Sequence, residues 1–155
     1  MSEEITKPNL RVKLSAIQGS LKAPKGQTNK FGGYNYRSAE DILNSVKPLL
    51  GEWGCSLVVS DEIVEVAGRI YVRASATLAD NDSDQAIASH AFAREAESKK
   101  GMDEAQITGS ASSYARKYAL NGLFAIDDTK DPDALNTHGT SNKPKTKTNS
   151  LEELI

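Results

Sequence analysis

Arg69-Ile-Tyr-Val-Arg-Ala-Ser-Ala-Thr-Leu78 alternates without a break. Ile70, Val72, Ala74, Ala76 and Leu78 fall on one side, and Arg69, Tyr71, Arg73, Ser75 and Thr77 on the other. A period of two with one apolar face predicts a strand in a one-sided antiparallel sheet. Ala67-Gly68 in front of it is a tight-turn pair, and residues 55–66 are rich in β-branched side chains, so the two runs form a hairpin. Residues 80–84, Asp-Asn-Asp-Ser-Asp, are a loop by composition. Residues 86–96 read as a third strand, although their alanines also suit a helix. The expected fold class is α+β: a three-stranded antiparallel meander with flanking helices and a disordered C-terminal tail.

Three helices surround these strands. Leu10, Leu14, Ile17 and Leu21 recur at helical spacing, with Asn9 as N-cap and Gly19 weakening the far end. A second helix opens at Ser38, with Glu40 and Asp41 in its favourable first turn and Ile42, Val46, Leu49 and Trp53 as its apolar face. Pro48 inside that pattern predicts a kink or an end near Lys47. The third is bracketed by Asp103 and Gln106, a capping-box pair, and by Asn121-Gly122 as a left-handed stop. Ile107, Ala111, Tyr114 and Tyr118 share one face. Residues 108–113, Thr-Gly-Ser-Ala-Ser-Ser, are six small residues that let another backbone come close, whether sheet, subunit or nucleic acid.

The chain has 155 residues, 38% hydrophobic and 26% charged, which is room for one domain and a tail. We divide it into a domain over 1–126, a polar linker over 127–150 and a terminal tip over 151–155. Between Thr129 and Ser150 the apolar residues are Ala134 and Leu135, too few to offset the entropy of ordering the segment. The tip, Leu151-Glu-Glu-Leu-Ile155, has the acidic-hydrophobic pattern of a docking motif. With one cysteine, Cys55, there is no internal disulfide and no cysteine-based zinc cluster. No apolar run is long enough to span a bilayer, and the first residues lack the pattern of a signal peptide. The expected location is the cytoplasm.

Charge is spread unevenly. Residues 1–126 carry 15 basic and 15 acidic side chains, a balance that argues against purely electrostatic DNA binding. Seven of the basic residues fall before position 38, against Glu3 and Glu4. The stretch from Lys22 to Arg37 sets Lys25, Lys30 and Arg37 around Phe31, Tyr34 and Tyr36, with no carboxylate. Cations track a phosphate backbone and aromatic faces stack bases, so this is a candidate single-strand site. The other reading is a hairpin whose rings pack on the core. Arg69 and Arg73 flank Tyr71, and Arg116 and Lys117 lie beside Tyr114 and Tyr118, a second basic-aromatic set.

Nothing suggests an enzyme. His90 and His138 are the two histidines, and no His-Glu-x-x-His, Gly-x-Ser-x-Gly or phosphate-cradling loop occurs. Asp127, Asp128, Asp131 and Asp133 lack the glycine of a calcium loop and enclose Pro132, so they read as a solvated linker. No cofactor is expected, with magnesium on these oxygens the one ion left open.

Two segments carry a resemblance: Phe31-Gly-Gly-Tyr-Asn-Tyr-Arg-Ser38, leading through Val46-Lys-Pro-Leu-Leu50 to Gly54, and Gly109-Ser-Ala-Ser-Ser-Tyr-Ala-Arg-Lys-Tyr-Ala-Leu120, closing on Ile126-Asp-Asp128. In order and spacing they resemble the Erf (essential recombination function) family of phage single-strand annealing proteins, over roughly residues 5–134. Ser113 stands where threonine is commoner, and Lys117 where a second arginine is usual, which loses the planar fork of arginine at a phosphate. The resemblance implies a protein that coats single-stranded DNA and pairs complementary strands without ATP. It also implies ring or filament homo-oligomers, a β-β-β-α core and action beside an exonuclease or host single-strand-binding protein in a bacterial cytoplasm. On this reading Lys25, Lys30, Arg37, Arg69, Arg73, Arg116 and Lys117 meet phosphates, and Tyr34 and Tyr36 stack or shape the groove. The rival functions are a passive single-strand-protecting protein and a recombination adaptor that recruits partners through the terminal tip.

Overall fold

A computed structural model describes residues 6–127. The expected linker and tip therefore lie outside the described residues, except for Asp127. In chain order the elements are α1 (Leu10–Ser20), β1 (Gln27–Asn29), β2 (Tyr34–Tyr36), α2 (Ala39–Trp53), β3 (Cys55–Val66), β4 (Arg69–Asp80), β5 (Ala86–Arg94) and α3 (Glu104–Phe124). The class is α+β with antiparallel sheets. Strands β3, β4 and β5 pair in that order, and β1 and β2 form a separate hairpin.

The long alternating run behaves as its pattern dictates. Val72, Ala74, Ala76 and Leu78 are buried, and they face Leu10 and Ile17 of α1, Ile42 and Val46 of α2, and a row of α3 residues. Helix α3 lies along this face on β4 and β5, and α1 and α2 pack against α3 and each other. Ala67 and Gly68 both take left-handed backbone, φ 52° and 77°, which defines the mirror-image turn that suits a two-residue hairpin. Alanine is strained there, whereas asparagine tolerates that region. Ala67→Asn is expected to stabilise the domain by about 0.5–1 kcal/mol, read as a rise in the urea midpoint with unchanged slope.

Several helix expectations are met and others are corrected. Asn9 caps α1 by accepting from the Val12 amide, and Asp103 and Gln106 form the reciprocal capping box of α3. Helix α2 does not stop near Lys47 but runs through Pro48 to Trp53. Pro48 and Asn44 are both exposed, so the Asn44 carbonyl that loses its helical partner faces solvent. Asn121-Gly122 does not end α3 either. Helix α3 continues to Phe124 and closes on Ala125, in left-handed backbone at φ 54°. Burial of Leu123 and Phe124 rewards the extra turn. Gly122 instead permits close approach, because a Cβ there would lie 2.6 Å from the Ser89 hydroxyl on β5.

The face of α3 is also revised. Ile107 and Ala111 are buried, but Tyr114 and Tyr118 are 54% and 50% exposed, and Ala115 and Ala119 take their place against the sheet. A ridge of residues four apart is inclined to the helix axis, so the buried stripe winds away from the tyrosines. Its alanines let α3 lie close on Ala74 and Ala76. Of the six small residues over 108–113, only Ala111 takes part in that contact, and Gly109 faces open space.

One tie between α1 and the sheet has a charge at its centre. Lys13, 2% exposed, donates from Nζ to Asp80 Oδ1 at 2.7 Å and to Asp82 Oδ2 at 2.9 Å. Asp80 also accepts from the Asp82 amide and the Ser83 hydroxyl. Lys13 holds the Asp80 carboxyl down to about 2 from the ordinary 3.8, aided by those two donors, and the two carboxylates raise the lysine. The carboxyls of Asp41, Asp61 and Asp82 are lowered as well. A carboxyl depressed by folding stabilises the protein above its unfolded value and loses that contribution as acid protonates it. Melting temperature is thus expected to hold near neutrality and fall as pH drops from about 4 towards 2. Asp80→Asn should be less stable at pH 7, where it leaves the buried Lys13 charge with Asp82 alone, but show a shallower acid slope.

Candidate nucleic-acid interface

The segment between α1 and α2 folds as a short hairpin rather than as core. Gln27, Thr28 and Asn29 pair with Tyr36, Asn35 and Tyr34. Its period of two sends Tyr34 and Tyr36 to one face, and Asn35 to the other, where its amide oxygen accepts from Thr28 at 3.1 Å. The rings do not pack on the core. Tyr34 is 43% exposed, Tyr36 is 36% exposed, and their centroids meet edge-on at 6.3 Å.

Across from them stands the exposed side of α3. Ser110, Ser113, Tyr114, Lys117 and Tyr118 lie three and four apart, so they form one stripe. Tyr114 and Tyr118 stack at 6.4 Å. Between hairpin and helix lies an open groove of about 900 Å³, lined by Lys25, Tyr34, Tyr36 and Arg37 on one side and by the α3 stripe on the other. Among the described residues none that lines it is acidic. Lys117 sits among the rings, 5.8 Å from the centroid of Tyr36, 5.3 Å from Tyr114 and 5.4 Å from Tyr118, within cation–π range of all three. Arg37 fixes the base of the hairpin by donating from Nε to the Ala23 carbonyl at 2.7 Å.

The residues singled out in the sequence thus separate into groups. Lys25, Tyr34, Tyr36, Arg37 and Lys117 come together in the groove. Lys30 is exposed at the hairpin turn, beside the groove rather than in it. Arg116, next to Lys117, points to the sheet instead, and its guanidinium engages Asp61 of β3 through Nε at 3.0 Å and Nη2 at 3.1 Å. Burial would raise the Asp61 carboxyl, but the Arg116 and Ser112 hydrogen bonds outweigh it and hold it low. Arg116 is therefore committed to fastening α3 onto β3. Arg69 and Arg73 stand on the opposite face of the sheet, where Arg73 meets Glu62 at 3.3 Å and lies 6.0 Å from the Phe92 ring. The structure does not bring them to the groove.

Ser110 and Ser113 are lining residues that the sequence does not single out, and Tyr114 and Tyr118, which it sets beside Arg116 and Lys117 but also on the apolar face, join them in the groove. The signal was the helical recurrence of serine, tyrosine and lysine on one stripe. Elsewhere, His90 Nδ1 and the Ser75 hydroxyl are 2.8 Å apart on the outer sheet face, and burial pushes the Cys55 thiol up, towards the inert form. Among the described residues no group of three or more His, Cys, Asp or Glu is placed to hold a metal ion, and no helix is long and apolar enough to cross a membrane. Of the acidic run considered for magnesium, Asp127 alone falls within the described residues.

Fold and site together define an α+β domain with a basic, tyrosine-lined groove whose described lining holds no carboxylate. The chain belongs to the ERF superfamily, whose family model matches residues 10–153. It is similar to the Essential recombination function protein of Salmonella phage P22, with 58% identity over 121 residues, 78% of this chain and 57% of that protein. This chain thus spans little more than half the length of that curated relative. No solved structure matches it. The resemblance carried by Phe31–Ser38 and Gly109–Leu120 is borne out as family membership.

Proposed function

We propose that this protein binds single-stranded DNA in the groove between the β1–β2 hairpin and α3, and anneals complementary strands without ATP during phage recombination in a bacterial host. The observation that carries this reading is the lining itself: four tyrosines, Lys25, Arg37 and Lys117 face one open groove, with no acid among its described lining residues. Tyrosine faces stack bases irrespective of sequence, and the cations draw the phosphates alongside. The name of the P22 relative supports a role in recombination. The three-stranded sheet closed by α3 is compatible with the β-β-β-α core expected of annealing proteins.

A groove of this size covers few nucleotides, so useful affinity comes from many protomers side by side on one strand. A ring or filament of copies therefore belongs to the proposal, as does an exonuclease or host single-strand-binding protein as supplier of the strands. The protein breaks no covalent bond in this scheme. It lowers the cost of bringing two anionic strands together, and base pairing decides specificity.

Mixing two labelled complementary oligonucleotides tests the proposal. An annealing protein speeds pairing with no nucleotide present, whereas a passive coat slows it or leaves it unchanged. Lys117→Ala is expected to weaken binding and to reduce the slope of log affinity against log salt by roughly one phosphate's worth, about 0.7. An unchanged slope would remove Lys117 from the phosphate path.

A further inference from the structure

At the tip of the β1–β2 hairpin Phe31 is wholly exposed, at 104% of its reference area. Single exposed apolar residues are ordinary, but this ring is held out by a built turn. Asn29 organises it. Its Oδ1 accepts from the amides of Phe31 at 2.9 Å and Gly32 at 3.0 Å, and its carbonyl accepts from Gly33 at 2.8 Å. Its Nδ2 donates to the Tyr34 hydroxyl at 3.0 Å. The Tyr34 ring lies so close over Gly32 that a Cβ there would collide with it, and Gly33 takes left-handed backbone at φ 65°. Every polar group of the turn used here is spent on setting its shape, and the outcome is a phenyl ring aimed away from its own domain. Lys30 beside it is exposed too.

The same hairpin supplies Tyr34 and Tyr36 to the groove, so the tip is continuous with one of its walls. Bases in a free single strand stack on one another, and a strand whose bases stack on tyrosines must first break that run. An apolar side chain inserted between base steps does this in other nucleic-acid complexes. Phenylalanine suits insertion because it brings no hydroxyl that would need a partner inside the stack.

We propose that Phe31 is a nucleobase wedge: it inserts between neighbouring bases of the bound single strand at the rim of the groove, with Lys30 against the adjacent phosphate. The inference rests on the groove binding single-stranded DNA. It adds a site residue outside the groove lining, and it assigns the hairpin tip to DNA rather than to another protein surface.

Two variants of the full chain test it. Because position 31 is fully exposed, neither threatens the fold. Phe31→Trp adds an emission to that of Trp53, and the difference from wild type is expected to be strongly quenched when dT20 saturates the protein. Phe31→Ala is expected to bind dT20 about 5- to 150-fold more weakly, the range for loss of one base stack, with the salt slope unchanged. Wild-type protein should also reduce the stacking band of dA20 in circular dichroism more than Phe31→Ala does at saturation. Wild-type binding with an unquenched Trp at position 31, or with equal loss of the dA20 band in both proteins, overturns the wedge and leaves the groove standing. Emission that changes with protein concentration in the absence of DNA assigns the tip to a second copy and also overturns it. A wild-type protein that ignores both oligonucleotides removes the groove reading and the wedge together.

Discussion

Tyr36→Ala combined with Tyr118→Ala is expected to weaken single-stranded oligonucleotide binding roughly 100-fold, with the fold intact. Each base–aromatic stack is worth about 1–3 kcal/mol, and a factor of 100 needs about 2.7 kcal/mol, so loss of two modest stacks suffices. The rings belong to opposite walls of the groove, Tyr36 to β2 and Tyr118 to α3, and Lys117 lies within 6 Å of both. Removing them also strips two aromatic faces from that ammonium, so the loss in the double variant is expected to exceed the sum of the two single losses. Both side chains are well exposed, 36% and 50%, and neither supports the core. Fluorescence anisotropy with a labelled oligonucleotide measures the loss, and far-ultraviolet circular dichroism checks the fold. A change below about threefold in the double variant would place the bound strand elsewhere on the molecule.

Phe124→Ala is expected to cost about 3–5 kcal/mol, a large share of the roughly 5–15 kcal/mol that holds a domain of this size together. Phe124 is 1% exposed and belongs to the core shared by α1, α2 and β4. Its ring lies in the last turn of α3, the turn that the Asn121-Gly122 pair seemed to forbid. Truncation removes the contact that rewards that turn, so the end of α3 should fray as the cavity opens. Chemical denaturation reads the loss as a lower midpoint. Hydrogen exchange should show the amides of residues 121–124 losing protection before those of β4 do. A loss under about 1 kcal/mol would mean that α3 ends where its sequence suggests and that the ring is dispensable.

The sheet was legible because its information is local. Alternation over Arg69–Leu78 and the Ala67-Gly68 pair specify strand, face and turn within a dozen residues, and the observed register follows them. The capping residues Asn9, Ser38 and Asp103 were legible for the same reason, since a cap acts across one helical turn. Pro48 and Asn121-Gly122 misled because each is a local signal opposed by distant packing. A solvent-facing proline leaves its orphaned carbonyl in water, and burial of Leu123 and Phe124 outweighs a favourable stopping place.

The groove divides along the same line. By itself the sequence determined the α+β class, the family and the basic-aromatic character of Lys22–Arg37, because each is written in side chains close together along the chain. Only the tertiary structure decided that Tyr114, Lys117 and Tyr118 face that segment, that Arg116 is committed to Asp61, that Lys13 is buried between two aspartates, and that Arg69 and Arg73 stand behind the sheet. A lysine reads the same in a sequence whether a carboxylate from a remote strand neutralises it or solvent surrounds it. That partner is set by how helix and sheet pack, across separations of 55 to 69 residues for these pairs.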